Sequence, residues 1–200
     1  MMRSRSPDEP RRAVSLSIYY FAYGSNMHPE RLARRVPLAE PVETAVLPDH
    51  LLCFHKRGRD GSGKGNIVPA SGRRVLGVLY RTGRQQLRNL DRAEGRGYVR
   101  CRVRVIGLSS GKAFGAFTYR ARASAMDDRM TPYDWYMALV VSGAEWHNLP
   151  AAYTDTLRGL PSRGDRNPRR DRHHLTIAAS SRRTVGRRRK SPLASRRGRN

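Results

Sequence analysis

Ile18-Tyr19-Tyr20-Phe21-Ala22-Tyr23-Gly24-Ser25-Asn26 is the stretch on which the reading of the fold turns. It begins as an aromatic and apolar run with the composition of a buried strand, then breaks at Gly24 into Ser25 and Asn26. Such a break has two readings. It is an ordinary turn at the end of a core strand, or a turn whose successive N–H groups favour a carboxylate or phosphate. Just downstream, His28 to Arg35 reads as a short helix, with Pro29 suited to its first position and Glu30 to the positive end of its dipole. The turn therefore lies between a strand and a helix start.

Outward from there, strand and turn signals alternate. Glu43 to Lys56 mixes strand-like and turn-like residues, with Pro48-Asp49 as punctuation. Gly58 to Gly65, G-R-D-G-S-G-K-G, invites comparison with a phosphate loop, but Lys64 is followed by Gly65 where that motif needs Ser or Thr. It reads as a flexible loop or hairpin connection. Asn66 to Pro69 and Val75 to Tyr80 are two strand candidates separated by a turn, Ala70-Ser71-Gly72-Arg73. Gly83 to Arg92 is a short amphipathic helix carrying Leu87 and Leu90, with an abrupt exit through Ala93-Glu94-Gly95. From Tyr98 to Leu108, Val99, Cys101, Val103 and Val105 alternate with Arg100, Arg102 and Arg104, the pattern of a half-buried strand. A hairpin turn at Ser109 to Lys112 returns the chain through Ala113 to Arg120. Helices follow from Pro132 to Glu145 and from Ala151 to Leu157. One domain over residues 16–160 is expected, between a disordered extension at 1–15 and a disordered Arg-rich tail at 161–200.

Charge is distributed unevenly. Lys and Arg number 40 against 16 Asp and Glu, a net charge of +24, and residues 161–200 hold 14 of the basic residues against 2 Asp. Such an arm makes nonspecific contact with nucleic acid or anionic surfaces, or is a dispensable extension with biased composition; both readings stand. Cys53 and Cys101 lie far apart in strand-like contexts without C-x-x-C spacing, so buried free thiols are expected. His50 and His55 have no acidic or cysteine partner at metal-ligand spacing, and no metal is expected. No segment approaches the roughly 18 apolar residues of a membrane span. The first residues lack the apolar core of a secretory signal, and the expected location is cytoplasmic.

Glu94 stands where a helix ends among glycines and strand residues. A carboxylate in a partly apolar pocket there is suited to proton transfer, whereas a Glu before a Gly is otherwise a solvated helix end. The pieces Y-F-A-Y-G-S-N-M (20–27), G-N-I-V-P (65–69), V-L-G-V-L-Y (75–80), L-D-R-A-E-G-R-G-Y (90–98) and S-G-A-E-W-H-N-L-P-A-A-Y (142–153) occur in order. Together they resemble the gamma-glutamylcyclotransferase family and its AIG2-like relatives over residues 18–159.

The resemblance implies an α+β fold, a small, mostly antiparallel closed β-barrel with flanking helices and a cavity at one end. It implies a reaction in which the α-amine of a γ-glutamyl group attacks its own γ-carbonyl, giving 5-oxoproline and a released amine or amino acid. It implies that Tyr23, Gly24, Ser25 and Asn26 hold the γ-glutamyl end through backbone N–H groups, with Glu94 as general acid/base. Tyr98 and Tyr136 are implied as pocket residues, Tyr136 from its position seven residues before the Gly143-Ala144 pair. The implied partner is a small-molecule γ-glutamyl substrate, with no metal, no cofactor, no catalytic cysteine and no membrane. Met27 stands where leucine is commoner, and the Gly58–Gly65 and Gly95–Gly97 loops are placed to shape the leaving-group side. Two other functions fit the same residues. One is a family member turned nucleic-acid binder through its basic surface; the other is an enzyme that removes a γ-glutamyl group from a biosynthetic intermediate.

Overall fold

The computed structural model describes residues 17–188, with side chains described through residue 180. Five strands, β1 (Ser17–Ala22), β2 (Glu40–Arg57), β3 (Gly63–Gly83), β4 (Tyr98–Gly107) and β5 (Ala113–Ala121), close into a barrel in the order β1-β3-β2-β4-β5. Every neighbouring pair is antiparallel except the closing one, where β1 runs parallel to β5 with Tyr20 opposite Phe117. Five helices flank the barrel: α1 (Pro29–Ala33), α2 (Leu87–Glu94), α3 (Asp134–Trp146), α4 (Ala151–Arg158) and α5 (Pro168–Arg188). The α+β, closed-barrel expectation is what the chain adopts.

Strand periodicity explains the aromatic run of β1. Phe21 and Tyr23 pack with Leu47, Ile67, Val75, Leu79 and Val105 in one cluster. Tyr20 and Ala22, on the opposite face, pack with Met27, Val78, Tyr80, Leu139 and Val140 beneath the helices. A strand buried on both faces has no polar face to show, so its sequence reads as continuous apolar residues. In β4 only one face is covered, and the Val/Arg alternation survives as half-buried or buried Val99, Val103 and Val105 against exposed Arg100, Arg102 and Arg104.

Three expectations are corrected. The turns expected at Pro48-Asp49 and Ala70–Arg73 do not end strands, because β2 and β3 run through both. Pro48 pairs with Arg74 and His50 with Pro69, so Asp49 alone faces residues 70–73 in one large bulge. Asp49 (φ 55°) and Gly72 (φ 71°) take up the left-handed conformations, and the Gly72 N–H donates to Asp49 Oδ1 at 2.9 Å. Turn chemistry is thus satisfied inside the hairpin, and pairing resumes on either side. The free thiols Cys53 and Cys101 are half-buried, where full burial was expected.

The largest correction concerns the tail expected to be disordered from 161. Residues 168–188 form α5, which docks on α3. Trp135 Nε1–H donates to Asp165 at 2.9 Å, Arg170 holds the same carboxylate through two bonds of 2.5 and 2.6 Å, and the His174 ring stacks on Trp135 with centroids 4.0 Å apart. Ile177 and Ala178 are buried. Positions 170, 174, 177 and 178 form one stripe at helical spacing, too narrow to register against the surrounding arginines. The expectations for 1–15 and 189–200 fall outside the described residues. Among the described residues, no helix is long and apolar enough to cross a membrane.

Candidate active site

At the end of β1 the chain turns through Gly24 into a 3-10 turn, Ser25–Met27, whose three residues are buried. The Met27 N–H donates to Gly24 O at 2.9 Å and the His28 N–H to Ser25 O at 3.3 Å. The N–H groups of Ser25 and Asn26 donate to no group among the described residues, as expected at the first turn of a helix. Helix α3 fixes the turn from behind. A Cβ added at Gly143 would lie 2.6 Å from His28 N and 2.7 Å from Met27 C, so only glycine permits this approach. Gly24 and Gly65 flank the Tyr136 hydroxyl, and a Cβ on either would come within 3.3 Å of it.

Glu94 is the last residue of α2, which stops because Gly95 adopts φ 73° and returns its N–H to Asp91 O at 2.9 Å. The carboxylate meets the turn across the pocket. Glu94 Oε1 accepts from Asn26 Nδ2 at 2.7 Å and from Arg35 Nη1 at 3.2 Å. Asn26 is itself oriented, since its Nδ2 also donates to Tyr20 Oη at 2.8 Å and its Oδ1 accepts from Arg35 at 2.8 Å. Glu94 Oε2 has no hydrogen-bond partner among the described residues, and the side chain is only 13% exposed. One oxygen is therefore anchored and the other is available for proton transfer.

Tyr20, Tyr23, Tyr98, Tyr119 and Tyr136 complete the walls of a pocket holding about 310 Å³ of space, part of it open to solvent. Tyr23 O–H donates to Tyr119 O at 2.5 Å, Tyr98 O–H to Gly65 O at 2.5 Å and Tyr119 O–H to Asp91 at 2.6 Å, while Tyr136 Oη accepts the Gly65 N–H at 3.0 Å. Burial raises all five phenols above their ordinary range. The negative charge of Glu94 adds to this at Tyr20, Tyr23, Tyr98 and Tyr136, and Asp91 adds to it at Tyr119. The phenols are therefore neutral, and Glu94 is the carboxylate that lines the pocket.

Every residue expected at the site lines this one pocket: Tyr23, Gly24, Ser25, Asn26, Glu94, Tyr98 and Tyr136. Tyr20, Gly65, Tyr119 and Arg35 were not anticipated. Gly65 opens the G-N-I-V-P piece and so carried a signal; Arg35 had none, because its link to Asn26 and Glu94 exists only in three dimensions. Among the described residues no group of three or more His, Cys, Asp or Glu could hold a metal ion. His55 is a structural residue, with Nδ1 2.7 Å from Asp128 and Nε2 accepting from Asn66 at 2.9 Å.

Comparison with known proteins bears on this geometry. Residues 74–157 match the AIG2-like family. Gamma-glutamylcyclotransferase of Homo sapiens is 30% identical over 152 residues, 72% of this chain and 79% of that protein. The Bos taurus gamma-glutamylcyclotransferase matches with the same figures, 30% over 152 residues. Among solved structures, a gamma-glutamyl cyclotransferase superposes with a TM-score of 0.71 at 27% identity, covering 76% of this chain and 92% of that one.

Proposed function

Because this chain belongs to the gamma-glutamylcyclotransferase family of enzymes, we propose that it cyclises a γ-glutamyl compound to 5-oxoproline with release of an amine or amino acid. The observation that carries this reading is the Glu94 carboxylate, anchored through one oxygen by Asn26 and Arg35 and facing the Ser25–Met27 turn across a phenol-lined pocket.

Nucleophile and electrophile are already joined in such a substrate. Ring closure in a well-oriented conformer draws on effective molarity worth roughly 7–11 kcal/mol. The protein needs to fold the substrate and move protons. In the proposed sequence the unpaired N–H groups of Ser25 and Asn26 hold the carboxylate of the γ-glutamyl end. Glu94 Oε2 takes a proton from the α-ammonium, and the freed amine attacks the γ-carbonyl carbon. Glu94 then returns that proton to the leaving nitrogen as its bond to carbon breaks, and the second proton of the ring nitrogen passes through the same carboxylate to the departing amine, which leaves as an ammonium. The phenols of Tyr20 and Tyr136, whose O–H groups have no acceptor among the described residues, donate to the oxyanion that develops; each such donor is worth about 3 kcal/mol. The cytoplasm is the proposed setting, in line with the free, half-buried thiols.

The test is 5-oxoproline release from a panel of γ-glutamyl amino acids, amines and larger γ-glutamylated intermediates, with Glu94→Gln alongside. The amide should fall at least 10²-fold below the native enzyme. Absence of product from the whole panel, or an undiminished rate in Glu94→Gln, refutes the proposal.

A further inference from the structure

In the cyclotransferase reading, on which a leaving-group subsite depends, the leaving amine must exit past Glu94 into a second space. Ser25, Glu94, Tyr98 and Tyr136 line this vestibule as well as the inner pocket, and its outer wall is built from Arg31, Arg35, Lys56, Arg59, Asp60 and Lys64. Five cations face two carboxylates.

Three of the five are engaged internally. Arg31 Nε donates to Ser25 Oγ at 3.0 Å, Arg35 binds Asn26 and Glu94, and Lys64 donates to Asp60 at 2.7 Å and Ser62 at 2.8 Å. Lys56 and Arg59 have no hydrogen bond or ion pair among the described residues. Lys56 is 8% exposed, and its ammonium has only the Tyr98 ring face, 4.8 Å from the centroid. The stem is buried but the ammonium tip opens into the vestibule, where a carboxylate can reach it. Its placement is built in. The β2–β3 register shifts between Cys53 and Lys56, and a Cβ at Gly97 would lie 2.7 Å from Lys56 Cε, so the lysine stem lies against a glycine. Arg59 stands farther out, beside Gly95, where the vestibule meets a groove carrying Arg92, Arg96, Arg100 and Arg122. The one acid of that groove, Asp91, is occupied by Tyr119 and Arg100.

We infer that the vestibule is a leaving-group subsite for an amine bearing two carboxylates, with Lys56 receiving the carboxylate nearer the scissile amide and Arg59 the farther one. An acidic amino acid carries both carboxylates, whereas the first residue of an acidic peptide keeps only one, the other being spent in the peptide bond. Neutral amines leave Lys56 without its acceptor, and cationic amines meet like charge.

Initial rates of 5-oxoproline release from γ-glutamylethylamine, γ-glutamylalanine, γ-glutamylglutamate and a γ-glutamyl-linked glutamyl dipeptide test this in the full chain. From ethylamine to alanine to glutamate, each added carboxylate should raise kcat/KM by about 10-fold or more, the size of a charge-assisted hydrogen bond, and added salt should shrink the gain. The alanine-to-ethylamine ratio should collapse in Lys56→Met and persist in Lys56→Arg. The glutamate-to-alanine ratio should collapse in Arg59→Gln, an exposed position whose replacement does not disturb the core. The dipeptide, with one of the two carboxylates spent in the peptide bond, should fall below γ-glutamylglutamate if the subsite takes a free amino acid. Equal kcat/KM across the neutral and dianionic compounds, or ratios unchanged in Lys56→Met and Arg59→Gln, overturns the subsite while leaving the cyclotransferase reading intact. No product from any compound overturns both.

Discussion

Replacing Gly143 by alanine tests whether helix α3 sets the position of the Ser25–Met27 turn, the proposed substrate-holding element. The added methyl would sit 2.6 Å from His28 N, 2.7 Å from Met27 C and 2.9 Å from Met27 Cβ, where ordinary contact begins at 3.4 Å. The turn and the helix must therefore separate by about 0.8 Å at this point, the difference between 3.4 and 2.6 Å. Two backbone atoms and a buried methionine block the easier relief of a side-chain rotation. Overpacking of this kind costs about 1–3 kcal/mol, which for a chain of this size lowers Tm by about 2–12 °C. The larger effect falls on function. Met27 and His28 are continuous with Ser25 and Asn26, and Asn26 is the residue that anchors Glu94. In the proposed mechanism, a displacement approaching 1 Å between the turn and Glu94 costs about 10²-fold in rate. The assay pairs urea unfolding with kcat and KM for 5-oxoproline release. The expected outcome is a stability loss in that range with kcat reduced well beyond what the folded fraction explains. Full activity together with a stability change below about 0.5 kcal/mol, the scatter of neutral substitutions, refutes the claim that this contact positions the turn.

Two further perturbations probe the scaffold. His147, whose Nε2 lies 2.8 Å from Tyr80 Oη, is depressed by burial from 6.5 to about 4, so the unfolded chain takes up its proton first as pH falls. Stability should decline between pH 6.5 and 4, by up to about 3 kcal/mol from this group, with the lowered His174 acting in the same direction. Urea midpoints across that window should flatten in His147→Asn; an unchanged slope refutes the assignment. Below the ordinary Asp range a separate loss is expected as Asp60 and Asp165, both held low by their hydrogen bonds to Lys64 and Arg170, take up protons. For α5, Ile177→Ala should cost about 2 kcal/mol because Ile177 is buried against the core beneath α3. An unfolding midpoint unchanged by this substitution would mean that α5 adds nothing to the folded domain.

The parts of the fold legible in sequence were those whose information is local. The Val/Arg alternation of β4, the Gly111 turn into β5 and the strand-turn-helix order around Gly24 each state their geometry within about ten residues. Continuity of β2 and β3 was hidden because Pro48, Asp49 and Gly72 carry genuine turn chemistry, and nothing in the sequence says that two such signals will face each other and cancel into one bulge. α5 was hidden because its docking stripe is minor beside its arginines, while its anchor, Asp165, precedes the helix and meets Trp135 from another element. The same logic divides the site. Glu94 and Asn26 were visible as separate motifs 68 positions apart, but the feature that makes them one device, a single carboxylate oxygen shared by Asn26 and Arg35, is a product of barrel closure. β1 closes the barrel against β3 and β5, and that closure brings the end of β1 to the end of α2, which follows β3 directly. A substitution at Phe117, which faces Tyr20 across the β1–β5 seam but does not line the pocket, would therefore shift the end of β1 relative to Glu94 without removing a residue of the site.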